Sequence, residues 1–143
     1  MNILVLHGPN LSTLGKREPE IYGTTTLREI NALLNSAALQ KNVLLKIFQS
    51  NHEGELIDLI EAHTDQSDAL IINAGGLTHT SICLMDALKA FAKPVVEVHL
   101  TDPMQREEFR HTSYVGMAAE KSFVGEGTVS YIHAIEYLVE KLN

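Results

Sequence analysis

The sequence predicts an α/β fold: one parallel five-stranded sheet with helices on both faces. Three observations predict it. Apolar runs of strand length alternate with longer segments of helical period along the chain. The runs Ile3–Leu6 and Ala69–Ile72 are apolar without interruption, as strands covered on both faces are. No linker, internal repeat or low-complexity segment divides the 143 residues, a length that suits one domain, 1–143.

The elements follow in order. Asn2–His7 reads as a buried strand that Gly8-Pro9 ends. A long polar connection follows, carrying Lys16, Arg17, Glu18 and Glu20 among Gly15, Pro19 and Gly23. Connections of that length are usually functional or disordered, and residues of about 12–24 are expected to form a lid. Thr26-Leu27-Arg28-Glu29 matches a capping box and opens a helix marked by Leu27, Ile30, Leu33, Leu34 and Ala37. Val43–Phe48 is a second strand, and Ser50-Asn51-His52-Glu53 matches a second capping box before a helix bearing Leu56, Ile57, Leu59 and Ile60. Ala69–Ile72 is the third strand. The turn Ala74-Gly75-Gly76 leads into a helix expected from about Thr78 to Phe91. Val95–Leu100 is the fourth strand. Asp102-Pro103 starts a short helix, with Asp102 as cap, Pro103 at the first position and Gln105 completing a box. Lys121–Val124 is a short fifth strand and Val129–Leu142 the last helix. Five strands in so short a chain suggest a flavodoxin-like three-layer sandwich with strand order 2-1-3-4-5.

Composition narrows the function classes. A formal charge of -7 and the lack of a basic run argue against nucleic acid as a partner, because phosphate binding needs a basic face. No apolar stretch reaches the length of a signal peptide or membrane span, so no membrane partner is expected. The one cysteine, Cys83, permits no disulfide within the chain and fits a reducing, cytoplasmic setting. Seven histidines are scattered without metal-ligand spacing, and no nucleophile elbow is present. Neither a metal nor another cofactor is expected.

In sheets of this order, ligands bind beyond the carboxyl ends of the strands, where the first and third strands diverge. Those ends carry His7 to Asn10, Asn73 with Gly75-Gly76, and Glu97 with His99. Glu97 and His99 stand two apart on a strand and so share a face. A carboxylate beside an imidazole stabilises its protonated form, as a general acid requires. A polar strand end with a solvated imidazole would read the same way. Arg17 near Tyr22 would favour the phenolate and lower its pKa from about 10, if water were excluded. Taken alone, the two read more readily as a surface arginine and a tyrosine packed at the loop base. The Asn73–Ser81 segment is either a ligand-approaching turn or an ordinary strand-to-helix connection capped by Thr78. Arg106 and Arg110, four apart, would share one helical face, either solvated or contacting an anion.

Together these segments resemble one family, the type II 3-dehydroquinate dehydratases. The matching residues are Gly8-Pro9-Asn10-Leu11, Gly15-Lys16-Arg17-Glu18-Pro19 with Tyr22-Gly23, and Gln49-Ser50-Asn51-His52-Glu53-Gly54. Ile72-Asn73 through Thr78-His79-Thr80-Ser81, Glu97-Val98-His99, and Arg106 to His111 with Ser113-Tyr114 follow in the family's order. The resemblance covers nearly the whole chain. It implies loss of water from 3-dehydroquinate to give 3-dehydroshikimate, in the shikimate pathway of aromatic amino acid biosynthesis, without metal or covalent intermediate. By resemblance Tyr22 is the base, Arg17 assists its ionisation, and His99, oriented by Glu97, is the acid. Asn73, His79 and Arg110 would hold hydroxyl groups, and the N–H groups of Leu100 and Thr101 the carboxylate. Asp86 would reach a neighbouring subunit's site within trimers that form a dodecamer. Where the family's first loop reads Asn-Leu-Asn-Leu-Leu-Gly, this chain has Asn10-Leu11-Ser12-Thr13-Leu14-Gly15. The resemblance therefore assigns to Ser12 the water that steadies the enolate. Met85 stands where arginine is common, and Thr101-Asp102-Pro103-Met104-Gln105 replaces a Ser-Asn-x-His-Ala run.

Overall fold

Burial on both faces makes strands of the apolar runs. The computed structural model describes residues 1–143. It holds β1 (Asn2–His7), β2 (Leu44–Gln49), β3 (Ala69–Asn73), β4 (Val95–His99) and β5 (Lys121–Val124). All neighbours pair in parallel, in the order β2-β1-β3-β4-β5 that the sequence predicts. The helices are α1 (Pro19–Tyr22), α2 (Leu27–Gln40), α3 (Glu53–His63), α4 (Ile82–Phe91), α5 (Tyr114–Ala118) and α6 (Val129–Leu142).

The period of two sorts the strands' side chains between two cores. Ile3, Val5, Ile71, Val96 and Val98 face α2 and α6, where Ile30, Leu34, Tyr131, Ile135 and Leu138 meet them. Leu4, Leu6, Leu70, Ile72 and Val95 face α3, α4 and α5, against Leu56, Ile60, Leu84, Leu88 and Val115. The same alternation sends His7 and Asn73 toward α2 and α6, and Glu97 and His99 toward the opposite layer.

Local signals succeed where the cap is formed by its own side chain. Thr26 and Glu29 make the expected reciprocal capping box at α2. The second box does not form. The cap of α3 is His52, the Ser50 hydroxyl accepts the His52 N–H at 3.0 Å, and Glu53 instead accepts a hydrogen bond from Ser81. Glu53 thus ties the start of α3 to the start of α4. Helix α4 begins at Ile82 rather than Thr78, because Gly75–His79 is a 3-10 turn and Ser81, not Thr78, caps the helix through Leu84 N–H. Asp102 does cap a 3-10 turn, Pro103–Gln105, but through Met104 N–H rather than a box with Gln105. That turn ends at Arg106, which is extended, while Arg110 closes a separate 3-10 turn. The expectation of one helix carrying both arginines is therefore corrected.

Two glycines fix how the strand ends meet. A Cβ at Gly8 would lie 2.4 Å from the Ala74 carbonyl oxygen, and one at Gly75, where φ is +58°, would lie 2.8 Å from that of Pro9. The loops after β1 and β3 are in backbone contact there, which only glycine allows.

Candidate active site

Beyond the carboxyl ends of β1, β3 and β4 lies a cavity of about 170 Å³. Pro9, Asn10 and Leu11 line it from β1, Asn73, Gly75 and Gly76 from β3, and His99, Leu100 and Thr101 from β4. Arg17 and Tyr22 close one side, and His79, Arg106 and Arg110 complete the wall. The strand-end rule applied to the sequence points to this cavity.

Tyr22 is placed by the short helix α1, which Pro19 starts and Gly23, at φ +80°, ends. Its hydroxyl receives two guanidinium donors: Arg106 Nη1 at 2.9 Å and Arg17 Nη2 at 3.4 Å. Both guanidinium groups also lie over the ring, 5.2 and 4.6 Å from its centroid. Two guanidinium groups thus aim charged hydrogen-bond donors at one phenolic oxygen. The nearer of them, Arg106, is the one that the sequence left undecided.

Glu97 and His99 meet as their spacing predicts, with His99 Nε2 2.8 Å from Glu97 Oε2. Both are buried. Glu97 also accepts from the Ser113 hydroxyl at 2.5 Å and the Ser122 hydroxyl at 2.7 Å. Burial pushes the Glu97 carboxyl up, but these hydrogen bonds and the charge on His99 outweigh it and hold the group below its ordinary value. With Nε2 engaged, His99 Nδ1 is its unpaired nitrogen at the cavity. Ser113 figures in the sequence only within a matching segment and Ser122 carries no signal there; they arrive from the cap of α5 and from edge strand β5.

His79 is held by its Nδ1, which donates to the Thr112 carbonyl at 2.8 Å. Burial, and then repulsion from His99 and Arg110, lowers its pKa despite that bond. Its ring lies 6.4 Å from that of His99. Arg110 is paired at 2.6 Å with Glu107. The N–H groups of Leu100 and Thr101 donate to no acceptor in the chain. They are free for an anion at the cavity's edge.

Two assignments fall elsewhere. Ser12 is exposed and does not line the cavity, whereas Asn10, held in the left-handed conformation at φ 70°, does. The first loop thus offers the amide of Asn10, not the hydroxyl of Ser12. Asp86 is exposed on α4 and lines no part of this chain's cavity. Nowhere do three His, Cys, Asp or Glu side chains converge as a metal site would need. No helix is long and apolar enough to cross a membrane.

The profile of the family described as "Dehydroquinase class II" matches residues 1–139. The chain belongs to that family. It is 50% identical over 139 residues to the 3-dehydroquinate dehydratase of Roseiflexus castenholzii, covering 97% of this chain and 88% of that one. It is 46% identical over 141 residues to "Catabolic 3-dehydroquinase 2" of Neosartorya fischeri, covering 99% and 94%. The crystal structure of type II dehydroquinase from Butyrivibrio crossotus superposes with a TM-score of 0.94 at 39% identity, covering 96% and 97%. The family named by the ordered motifs is thus the family found.

Proposed function

We infer that this chain is a hydro-lyase that converts 3-dehydroquinate to 3-dehydroshikimate and water. The observation that carries the reading is one cavity with a doubly arginine-paired phenol on one side and a carboxylate-backed imidazole on another. Family membership supplies the substrate. The substrate has a C3 ketone, so a proton on C2 can be removed to give an enolate. Tyr22, as phenolate, takes that proton, and Arg17 and Arg106 stabilise the phenolate. The electron pair of the C2–H bond passes into the enolate. It then forms the C1–C2 double bond as the C1–O bond breaks. His99 gives its proton from Nδ1 to the departing hydroxyl, which leaves as water, and Glu97 holds the imidazolium by Nε2. Proton return from Tyr22 to His99 through solvent closes the cycle.

Binding follows from the remaining groups. The free N–H pair of Leu100 and Thr101 would take the C1 carboxylate, which reconciles an acidic protein with an anionic substrate. Asn73, His79 and Arg110 would hold hydroxyl groups. Asn10 is better placed than Ser12 to hold a water against the enolate oxygen. The segment of about 12–24 would act as a lid over the single domain, excluding water and strengthening the arginine–phenolate attraction. The reading includes the shikimate pathway, cytoplasmic location and assembly of trimers into a dodecamer. The exposure of Asp86 leaves it available to a neighbouring subunit's site.

The experiment is absorbance spectroscopy. Addition of 3-dehydroquinate should produce the ultraviolet band of a conjugated enone. Quinate, whose C2 proton no ketone acidifies, should produce none. No band from 3-dehydroquinate would end the reading.

A further inference from the structure

Asn10 stands at the cap position of a 3-10 turn, Leu11–Thr13, yet does not cap it. Asparagine is among the best capping residues, because its side-chain oxygen can accept a free N–H of the first turn. Capping requires an extended backbone at that residue. Asn10 is instead left-handed, at φ 70° and ψ -3°, and its side chain makes no capping hydrogen bond. Asparagine tolerates this conformation better than most residues, but something must hold it there. The amide is thereby withheld from the turn and left for the cavity it lines.

The main chain of Asn10 is clamped on both sides. Its N–H donates to Asn51 Oδ1 at 3.0 Å. Its carbonyl accepts the Thr13 N–H at 3.1 Å and the Thr13 hydroxyl at 2.7 Å. Asn51 is fixed in turn by Gln49, whose Nε2 donates to the same Oδ1 at 3.0 Å and to the Gly8 carbonyl at 3.2 Å. The amide ends are assigned by their partners: a backbone N–H donates to Asn51, so that atom is oxygen, and Gln49 meets two acceptors, so its end is nitrogen. Gln49 ends β2 opposite His7, the last residue of β1, so the bracket joins the loops that leave these two strands. Gln49 and Asn51 belong to a motif that the sequence singles out, yet neither lines the cavity. Thr13 stands where the first-loop pattern has a leucine, which offers no hydroxyl.

We propose that Asn51 and Thr13 are positioning residues, which hold Asn10 in its left-handed conformation and so keep its amide in the cavity. The proposal rests on the reading of Asn10 as the residue that holds a water against the enolate. Released from the clamp, Asn10 is free to relax to the extended conformation, where its side chain would cap the turn instead.

The test measures kcat and KM on 3-dehydroquinate, with thermal unfolding to verify that each variant is folded. Asn51 and Thr13 are both exposed, so their replacement should disturb the fold little. The enolate charge exists only after the C2 proton has left, so a displaced amide should lower kcat and spare KM. Asn51→Leu removes the acceptor and should lower kcat about tenfold, with KM within about twofold of the parent. Thr13→Val removes only the hydroxyl and should lower kcat about threefold. Asn51→Asp and Thr13→Ser keep the acceptor and the hydroxyl and should restore kcat to within about twofold. On an Asn10→Ala background, Asn51→Leu should alter kcat by less than about twofold, because the residue it positions is gone. Equal losses from Asn51→Leu on both backgrounds would overturn the proposal. So would a slow Asn10→Ala beside an unimpaired Asn51→Leu, or a loss confined to KM. If Asn10→Ala itself works at the parent rate, the enolate role is wrong and the proposal falls with it, a result distinct from the others. Should Asn51→Leu fail to fold, Thr13→Val on the same two backgrounds decides.

Discussion

Arg106 was undecided in the sequence and is the nearer cation to Tyr22 in the structure, so its removal tests the account where it is most specific. Arg106→Gln removes the 2.9 Å charged hydrogen bond and leaves the weaker 3.4 Å bond from Arg17. The Arg106 side chain is only 16% exposed, so screening by water is limited. A hydrogen bond from a charged donor contributes about 1.5–3 kcal/mol, and at about 1.4 kcal/mol per tenfold its loss predicts a 10- to 150-fold fall in kcat/KM. Initial rates of enone formation at pH 7 measure it. A variant within about twofold of the parent from pH 6 to 9 would refute the assignment of Arg106 to the phenolate.

Three further expectations follow. Asn10→Ala should lower kcat by about 100-fold or more if its amide steadies the enolate water, while Ser12→Asn should change it by less than about twofold; the opposite pattern would return the role to Ser12. Stability should fall in acid: His7 has an ordinary pKa of 6.5 and a folded value of about 4, so below pH 6.5 the unfolded chain binds a proton that the folded chain refuses. That contribution is complete above pH 6.5, is lost as pH falls toward 4, and amounts to on the order of 3 kcal/mol. Glu97, held below its ordinary 4.5, adds a loss as pH falls below that value. Urea unfolding midpoints should show the slope, His7→Gln should flatten its upper part, and an unchanged slope would contradict the burial argument. Gly8→Ala should destabilise by at least about 1–3 kcal/mol in the same assay, since its Cβ would meet backbone rather than a movable side chain; an unchanged midpoint would refute the close approach of the two loops.

The sequence made the sheet legible because strand burial leaves a local pattern. Ile3–Leu6 and Ala69–Ile72 need no partner to be recognised. Glu97 and His99 were legible for the same reason, since the period of two puts them on one face whatever surrounds them. The misses lie where distant contacts decide. Helix α5 has five residues and includes Gly116, too few for a helical period to show. The second capping-box match failed because Glu53 found Ser81, 28 residues away. Arg106 and Tyr22 are 84 residues apart, and only docking of the loop bearing α1 brings them together. The resemblance pointed to Ser12 because motif matching counts positions. The left-handed turn at Asn10 decides which residue of that loop borders the cavity, and no spacing reveals it.

The most direct measurement of the central claim combines turnover and binding in Tyr22→Phe. This change removes one oxygen, the intended base, and leaves the ring, the loop bearing α1 and His99 in place. Circular dichroism should match the parent, calorimetry should still register 3-dehydroquinate binding, and no enone absorbance should develop. A folded Tyr22→Phe enzyme that forms enone at a rate close to the parent's would contradict the account, because the proton on C2 would then be leaving to some other group.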